Sequence, residues 1–561
     1  MRDRARLPRS GLKRRHPRRS GVLHRGDRAL PRAGQLSGRR RGDATPVDGG
    51  GDHGGGRVPG PRGDQLRRRV VLRERDRHRG ADLHRFTGVD MRDMTARDRR
   101  WTGTARVLLR TRRARRRRDA GAALRALARG GRTAIGLRLR GQRVLLVLDP
   151  ELAGQLLSGH AASTVKGPAL RHTTAMLGDG LLTSEGAAHD RARRLVAPAF
   201  SPRRLDGYVS VFARCARECA AGWADGEHRD IHADMAALTL RAAGQALLGT
   251  DLTTQAPRVR AGLEAALADF AAAGGSAVSG PGTAWLSAGR GRSRRTGQAG
   301  AGGESAREAV HRLVDDIIEQ RRTAPAGDRA DVLSALLAAS LEPGGLTARE
   351  VHDHVMTLLL AGHETTASTL TWALYLLGRC PMAQRRVQAE ADTIDGRELS
   401  AGDLPALPFT RAVITEAIRL YPPAWIIGRT VTAGLDLGGW HLPPGSAAAV
   451  SPLLLHRDPR WYPDPDRFDP GRWLGNRPAL PRHAYLPFGT GPRACIGEQF
   501  AWSESVTVLA TLTRSWSFRT DPGLQPALSY QVTLRPAAGM PMTVHARAEL
   551  WKADGGYPDA G

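Results

Sequence analysis

The stretch FGTGPRACIG, Phe488 to Gly497, admits two readings, and the choice between them decides the fold. As G-x-G-x-x-A it has the outline of a dinucleotide-binding loop, which must leave a buried strand and open a βαβ unit. As a glycine-rich loop ending in one cysteine, it can hold a metal cofactor through sulfur. The residues before it, RPALPRHAYLP, are too rich in proline and polar groups for a central strand. Little chain follows to build a nucleotide-binding half. The sulfur reading gains from its neighbours. Gly489 and Gly491 let the backbone approach a flat cofactor closely. Cys495 stands just before a helical stretch, where amide N–H groups and the helix dipole favour a thiolate. Gly497 again leaves room for a ring, and Arg493 is positioned to meet a carboxylate.

Working outward, the 561-residue chain carries a net charge of +30, unevenly placed. Residues 1–118 hold 37 of its 85 Lys and Arg but only 12 of its 55 Asp and Glu. The first hundred residues contain one aromatic, Phe86, and no sustained apolar period. Such a segment cannot bury enough apolar surface to offset chain entropy. We read residues 1–104 as a basic extension dispensable to the core, with Met91 and Met94 as candidate later starts. A nucleic-acid-binding or acidic-lipid-binding arm is the disfavoured alternative. No apolar core follows the basic residues, so no signal peptide is read. No run of ~18 apolar residues occurs, so no membrane anchor is expected. The four cysteines, Cys215, Cys219, Cys380 and Cys495, form no disulfide framework. Cys215 and Cys219 share one helical face, which reads as packing.

The spacing predicts a β-hairpin over 136–150, turning at Gly141-Gln142, then a mostly helical region from about 150 to 390. A Gly/Ser/Arg-rich loop interrupts it at 274–305, and helical period resumes over 305–322. One long helix is predicted over 347–379, capped by Thr347 with Glu350 three later. Short strands fill 425–450, and a final helix follows the opening motif.

Three further patterns carry candidate chemistry. AGHETTAS, Ala361 to Ser368, places an acid and two threonines inside a buried apolar helix. Threonine can bond back to the preceding turn, so a satisfied core patch is one reading. The His-Glu pair lacks the second histidine of a zinc site, since position 367 is Ala. In TEAIRL, Glu416 and Arg419 are i, i+3 on one helix. In HDRARRLVAPAFS, His189 and Arg193 are i, i+4.

Phe488, Gly489, Gly491, Arg493, Cys495 and Gly497 match F-x-x-G-x-R-x-C-x-G, so the chain resembles the cytochrome P450 family. The resemblance implies a mainly α fold with a minor β-sheet portion. One large haem-binding domain would span 105–548, with a tail at 549–561. The cofactor would be heme b, iron protoporphyrin IX, with Cys495 as its axial thiolate, Phe488 packed near the sulfur and Arg493 on a propionate. AGHETT matches the family's oxygen-binding stretch, where the helix is locally opened. That assigns Glu364 and Thr365 to proton delivery, and Ala361 and Gly362 to the space beside oxygen. His189, Arg193 and Arg429 would reach the propionates. Glu416, Arg419 and Arg467, the last from PDPDRFDPGRW, would form a buried structural triad. The 286–304 stretch departs from the family and concerns the substrate lid. Pocket specificity is placed near 165–183 and 265–300.

The implied function is a cytoplasmic bacterial monooxygenase that takes O2 and a hydrophobic small molecule: a terpene, a fatty acid or another secondary metabolite. With no flavin or iron–sulfur segment visible, its electrons would come from a separate ferredoxin and ferredoxin reductase. The rival readings are a dinucleotide-dependent oxidoreductase, a haem protein that binds without turnover, and a nucleic-acid-binding protein acting through the basic arm.

Overall fold

Thr347 begins the helix on which the fold is assembled. Its Oγ1 accepts from the Glu350 N–H at 3.2 Å, and the Glu350 carboxylate accepts from the Thr347 N–H at 2.8 Å. This reciprocal cap satisfies two of the amide groups that a helix start leaves unpaired. The helix runs unbroken for 31 residues, Ala348–Gly378. The computed structural model describes residues 120–128, 130–139, 142–272, 305–324, 331–394, 397–475 and 479–547. Within these, six helices position the site: α1 (Gly186–Val196), α2 (Pro202–Ala220), α3 (Ile231–Leu248), α4 (Ala348–Gly378), α5 (Pro408–Leu420) and α6 (Glu498–Ser515). α3, α5 and α6 all pack on α4, so its sequence is apolar nearly all round. The helix predicted over 305–322 is found at Ala306–Thr323, with its own Ser305–Glu308 capping box.

Among the described residues, twelve short strands form four small sheets. The predicted hairpin is β1 (Ala134–Leu139) and β2 (Gln142–Val147), paired with Leu139 opposite Gln142. Gly141 of its turn lies outside the described residues. Leu145 and Val147 of β2 join one core cluster and Val144 and Leu146 another. Both faces are covered, so the strand reads as an apolar run. β3 (Thr164–Lys166) and β4 (Glu227–Asp230) interrupt the region expected to be helical. The strands β5 (Ile427–Val431), β6 (Leu435–Leu437), β7 (Trp440–Leu442) and β8 (Ala447–Val450) fill the expected 425–450 interval. β9 (Trp516–Arg519), β10 (Leu528–Tyr530), β11 (Leu534–Pro536) and β12 (Pro541–Ala546) have no counterpart in the expected elements. β3 is held in strand form by pairing with β5, and β4 by pairing with β12. Those remote partners leave no mark in local periodicity. The loop of 274–304, with the expected lid, lies outside the described residues.

α5 carries a fully buried ion pair. The Arg419 Nε lies 2.7 Å from the Glu416 carboxylate, and both side chains are 0% exposed. A third member is corrected here. The Arg467 side chain is exposed, and only its carbonyl enters the cluster, accepting from Arg419 Nη2 at 3.1 Å. Arg472 supplies the additional charge, 3.4 Å from Glu416 Oε1. Glu416 also accepts from the Asp469 N–H and the Trp473 indole, each at 2.9 Å. Removing one partner of such a pair strands the other charge in the core. Arg419→Met is therefore expected to lose roughly 3–5 kcal/mol of stability in urea unfolding. Arg467→Ala should stay within about 0.5 kcal/mol.

Candidate functional site

The loop before α6 is shaped by glycines with different roles. Gly489 and Gly491 have φ of 69° and 77°, a region that side chains with a Cβ rarely enter. At Gly489 a Cβ would meet only Ile427 Cδ1, at 3.8 Å. At Gly491 it would lie 2.6 Å from the Leu157 carbonyl oxygen and 2.8 Å from Ser158 Oγ. Gly491 is thus required by contact with the helical turn Gln155–Gly159. A Cβ at Gly497 would touch Phe200 at 3.7 Å, an ordinary contact. The loop closes through the Cys495 N–H, which donates to the Phe488 carbonyl at 2.9 Å. Phe488 packs edge-on against Trp502.

The Cys495 side chain is exposed, yet burial raises its thiol pKa, against the Gly497 N–H that favours the thiolate. A residue both enclosed by protein and exposed faces internal space. Cys215 and Cys219 differ. Burial pushes them to about 11 and about 12, as expected for packing. Among the described residues, no group of three or more His, Cys, Asp and Glu could hold a metal ion.

Beside this loop lies a buried excess of positive charge. Strand pairing sets Lys166 opposite Arg429, both 5% exposed. Burial lowers Arg429 to about 10, with help from nearby Arg493. Its Nε finds no hydrogen-bond partner among the described residues. Burial lowers Lys166 to about 8, with Glu185 opposing. Arg493, expected on a propionate, is engaged by protein groups. It donates to Glu185 Oε2 from Nε at 2.9 Å and Nη2 at 2.7 Å, and to the carbonyls of Ala161 and Thr164. Glu185 therefore faces three cations. Arg193 reaches the loop and donates to the Ala494 carbonyl at 2.7 Å. Buried His189 sits on α1 with Nδ1 3.2 Å from Asp190, and burial lowers its pKa. Lys166 and Glu185 are not legible in the sequence, because the β3–β5 register brings Lys166 here and the Lys166 N–H and Arg493 hold Glu185.

The middle of α4 supplies the other wall. Ala361 is exposed, and Gly362 and Thr365 are half-buried, in a stretch, 353–377, that is otherwise buried. A Cβ on Gly362 would face Leu247 and Ala243 of α3 at 3.6 and 3.8 Å. These are ordinary contacts, so the Cα–H of Gly362 faces α3 while Ala361 is the more exposed of the pair. The helix is not opened here. The Thr365 hydroxyl donates back to the Ala361 carbonyl at 2.8 Å. Glu364 is buried and turned toward the β10–β11 connection, accepting from the Thr533 hydroxyl at 2.7 Å with Arg535 Nε at 3.7 Å. Burial raises its carboxyl pKa, against Arg535 and Thr533.

The family profile described as Cytochrome P450 matches residues 115–540. The chain is 40% identical over 413 residues to "Cyclooctatin synthase" of Streptomyces melanosporofaciens, covering 72% of this chain and 88% of that protein. It is 37% identical to "Cyclooctat-9-en-7-ol 5-monooxygenase" of the same organism, over 69% of this chain and 83% of that one. It is 35% identical to "Pentalenene oxygenase" of Streptomyces avermitilis, over 66% and 81%. The chain belongs to the cytochrome P450 family. It is a monooxygenase, its cofactor is haem, and it uses redox partners. The residues present fit that group: an enclosed thiol facing internal space, and a buried cationic cluster short of anions. Among the described residues no helix is long and apolar enough to cross a membrane.

The two left-handed glycines separate backbone strain from packing. Gly489→Ala is expected to cost about 1–2 kcal/mol, from conformation alone. Gly491→Ala should add roughly 1–3 kcal/mol of overpacking against backbone that cannot move aside. Urea unfolding of the two purified variants checks the ranking.

Proposed function

We propose that this monooxygenase oxidises a terpene, with Cys495 as the haem ligand and electrons arriving from a ferredoxin and its reductase. The carrying observation is the Cys495 thiol, enclosed yet exposed to internal space at the start of α6. Bound haem would supply the iron at which O2 is reduced and one oxygen atom passes to the substrate. Arg429, Arg193 and His189 would meet its carboxylates, the buried excess of cations being the feature that fits them. Residues 105–548 form the catalytic domain in this reading. Reduction by small soluble carriers implies the cytoplasm. Terpene chemistry rests on the relatives, whose names specify cyclooctat-9-en-7-ol and pentalenene.

Thr365 and Glu364 have separable roles in this reading. The Thr365 proton is directed to Ala361, which leaves its oxygen able to accept. The hydroxyl must turn from that carbonyl to hand a proton inward. Glu364, buried and with its pKa raised, can hold a proton nearer neutrality than an exposed carboxylate. A protein that binds haem without turnover is the competing reading. Substrate-dependent NADPH consumption across a terpene and fatty-acid panel separates the two.

Two variants test the assignments. Cys495→Ser should lose the red-shifted Soret band of the reduced CO complex, while Cys215→Ser, Cys219→Ser and Cys380→Ser keep it. Loss of the band from one of those three instead would move the ligand elsewhere. Thr365→Ala should leave NADPH consumption running while product falls and hydrogen peroxide rises. Its thermal stability should change little, since alanine gains helix propensity. Unchanged coupling of product to NADPH would leave Thr365 as a core threonine.

A further inference from the structure

The Glu364 carboxylate does not point toward the exposed strip of α4 but toward a hairpin 169 residues away in sequence. Thr533 stands between β10 and β11 and donates to Glu364 Oε1 at 2.7 Å. Arg535, on β11, brings its Nε to 3.7 Å of the same oxygen, and its side chain is 22% exposed. The preceding turn residues Gln531 and Val532 are half-buried, while Thr533 is buried. A hydroxyl and a cation thus join a buried acid to a half-buried turn.

We infer that the β10–β11 connection is the outer half of the proton route: Thr533 passes protons from solvent to Glu364, and Arg535 holds the carboxylate in place. This rests on the reading of Glu364 as a proton donor. The step is balanced without electrons. The Thr533 O–H gives its proton to Glu364 Oε1, and its oxygen takes one from a water at the turn. Arginine stays protonated throughout, so Arg535 is a positioning residue and not a carrier.

The groups around Glu364 leave Arg535 as the charge that sets its titration. His363 of α4 and His232 of α3 lie close enough to Arg535 to feel its charge. Burial pushes each of them down to about 4, so both are neutral where the enzyme works. From the hairpin come Thr533 and Arg535, both of which lower the Glu364 pKa against the burial that raises it. Losing the cation must therefore move the Glu364 midpoint upward.

The test uses the full-length holoprotein and reads the carboxyl directly. The infrared band of protonated Glu364 is identified by its loss in Glu364→Gln, and its exchange is followed after mixing into D2O. Thr533→Val, which keeps the volume and removes the hydroxyl, is expected to slow exchange at least tenfold. Thr533→Ser should restore it. Arg535→Gln should raise the midpoint of the band's pH titration. Exchange in Thr533→Val as fast as in the unaltered protein overturns the proposal, and an unmoved midpoint in Arg535→Gln overturns the part given to Arg535. Oxygen-dependent NADPH oxidation with ferredoxin and reductase tests the underlying reading, because it needs protons whether or not product forms. If Glu364→Gln leaves that rate unchanged, Glu364 is not the donor and the proposal falls with it. If Glu364→Gln is slowed while Thr533→Val exchanges normally, Glu364 keeps its role and the route to it lies elsewhere.

Discussion

The side chain of Arg419 is the constraint on which the haem-binding half depends. A guanidinium has five N–H donors, and all five are used. Two go to Glu416, and the rest to the carbonyls of His456, Pro465 and Arg467. Glu416 in turn accepts from Asp469 and Trp473. A buried ion pair is worth its desolvation only when every remaining donor and acceptor is matched, and here they are matched by backbone from 456–469 and by the Trp473 indole. That is how a helix made of local contacts dictates the path of a segment with almost no regular structure. The path continues through His456, whose Nε2 accepts from the Leu486 N–H at 2.8 Å. Burial drives the His456 pKa down to about 3, so the ring stays neutral and keeps the lone pair that this bond needs. Two residues after Leu486 the cysteine loop begins.

The site itself reverses that rule. Around Lys166, Arg429 and Arg493 the chain leaves charge unmatched, with Glu185 set among three cations. Such an imbalance costs stability and persists where it binds something. In the proposed reading, a cofactor bearing two carboxylates would offset it. Glu185 then acts as a brace. It holds Arg493 and, through the Lys166 N–H at 2.5 Å, the edge strand β3. It fixes the cationic wall in place without neutralising it.

What is legible in the sequence is whatever is written locally. The capping boxes at Thr347 and Ser305, the hairpin at β1–β2 and the cysteine loop all depend on residues within a few positions of one another. The failures have a common physical origin. β3, β4, β9 and β12 are strands because distant partners pair with them. Arg472 displaces Arg467 because the turn geometry of 463–473, and not residue type, decides which guanidinium points inward. Gly491 is special, as its motif implies, but for a different neighbour, since the contact that forbids a side chain comes from Leu157 and Ser158. Gly362 likewise reads toward the cofactor in sequence and is turned toward α3 in the fold.

The same distinction explains why Glu364 and Thr365, adjacent in sequence, cannot act as one unit. Successive helical residues point about 100° apart, so the hydroxyl lies on the half-exposed strip with Ala361 while the acid is buried. In the proposed reading the buried acid on α4 is charged through Thr533, its hydrogen-bond partner, and the Thr365 hydroxyl, tied to the Ala361 carbonyl, is a second gate at the inner end. Separating an acid charged from outside from a hydroxyl that delivers inside keeps bulk water out of the chamber while protons still pass. An unbroken α4 suits that division, because a helix with its backbone bonds intact admits water only where a side chain makes a path.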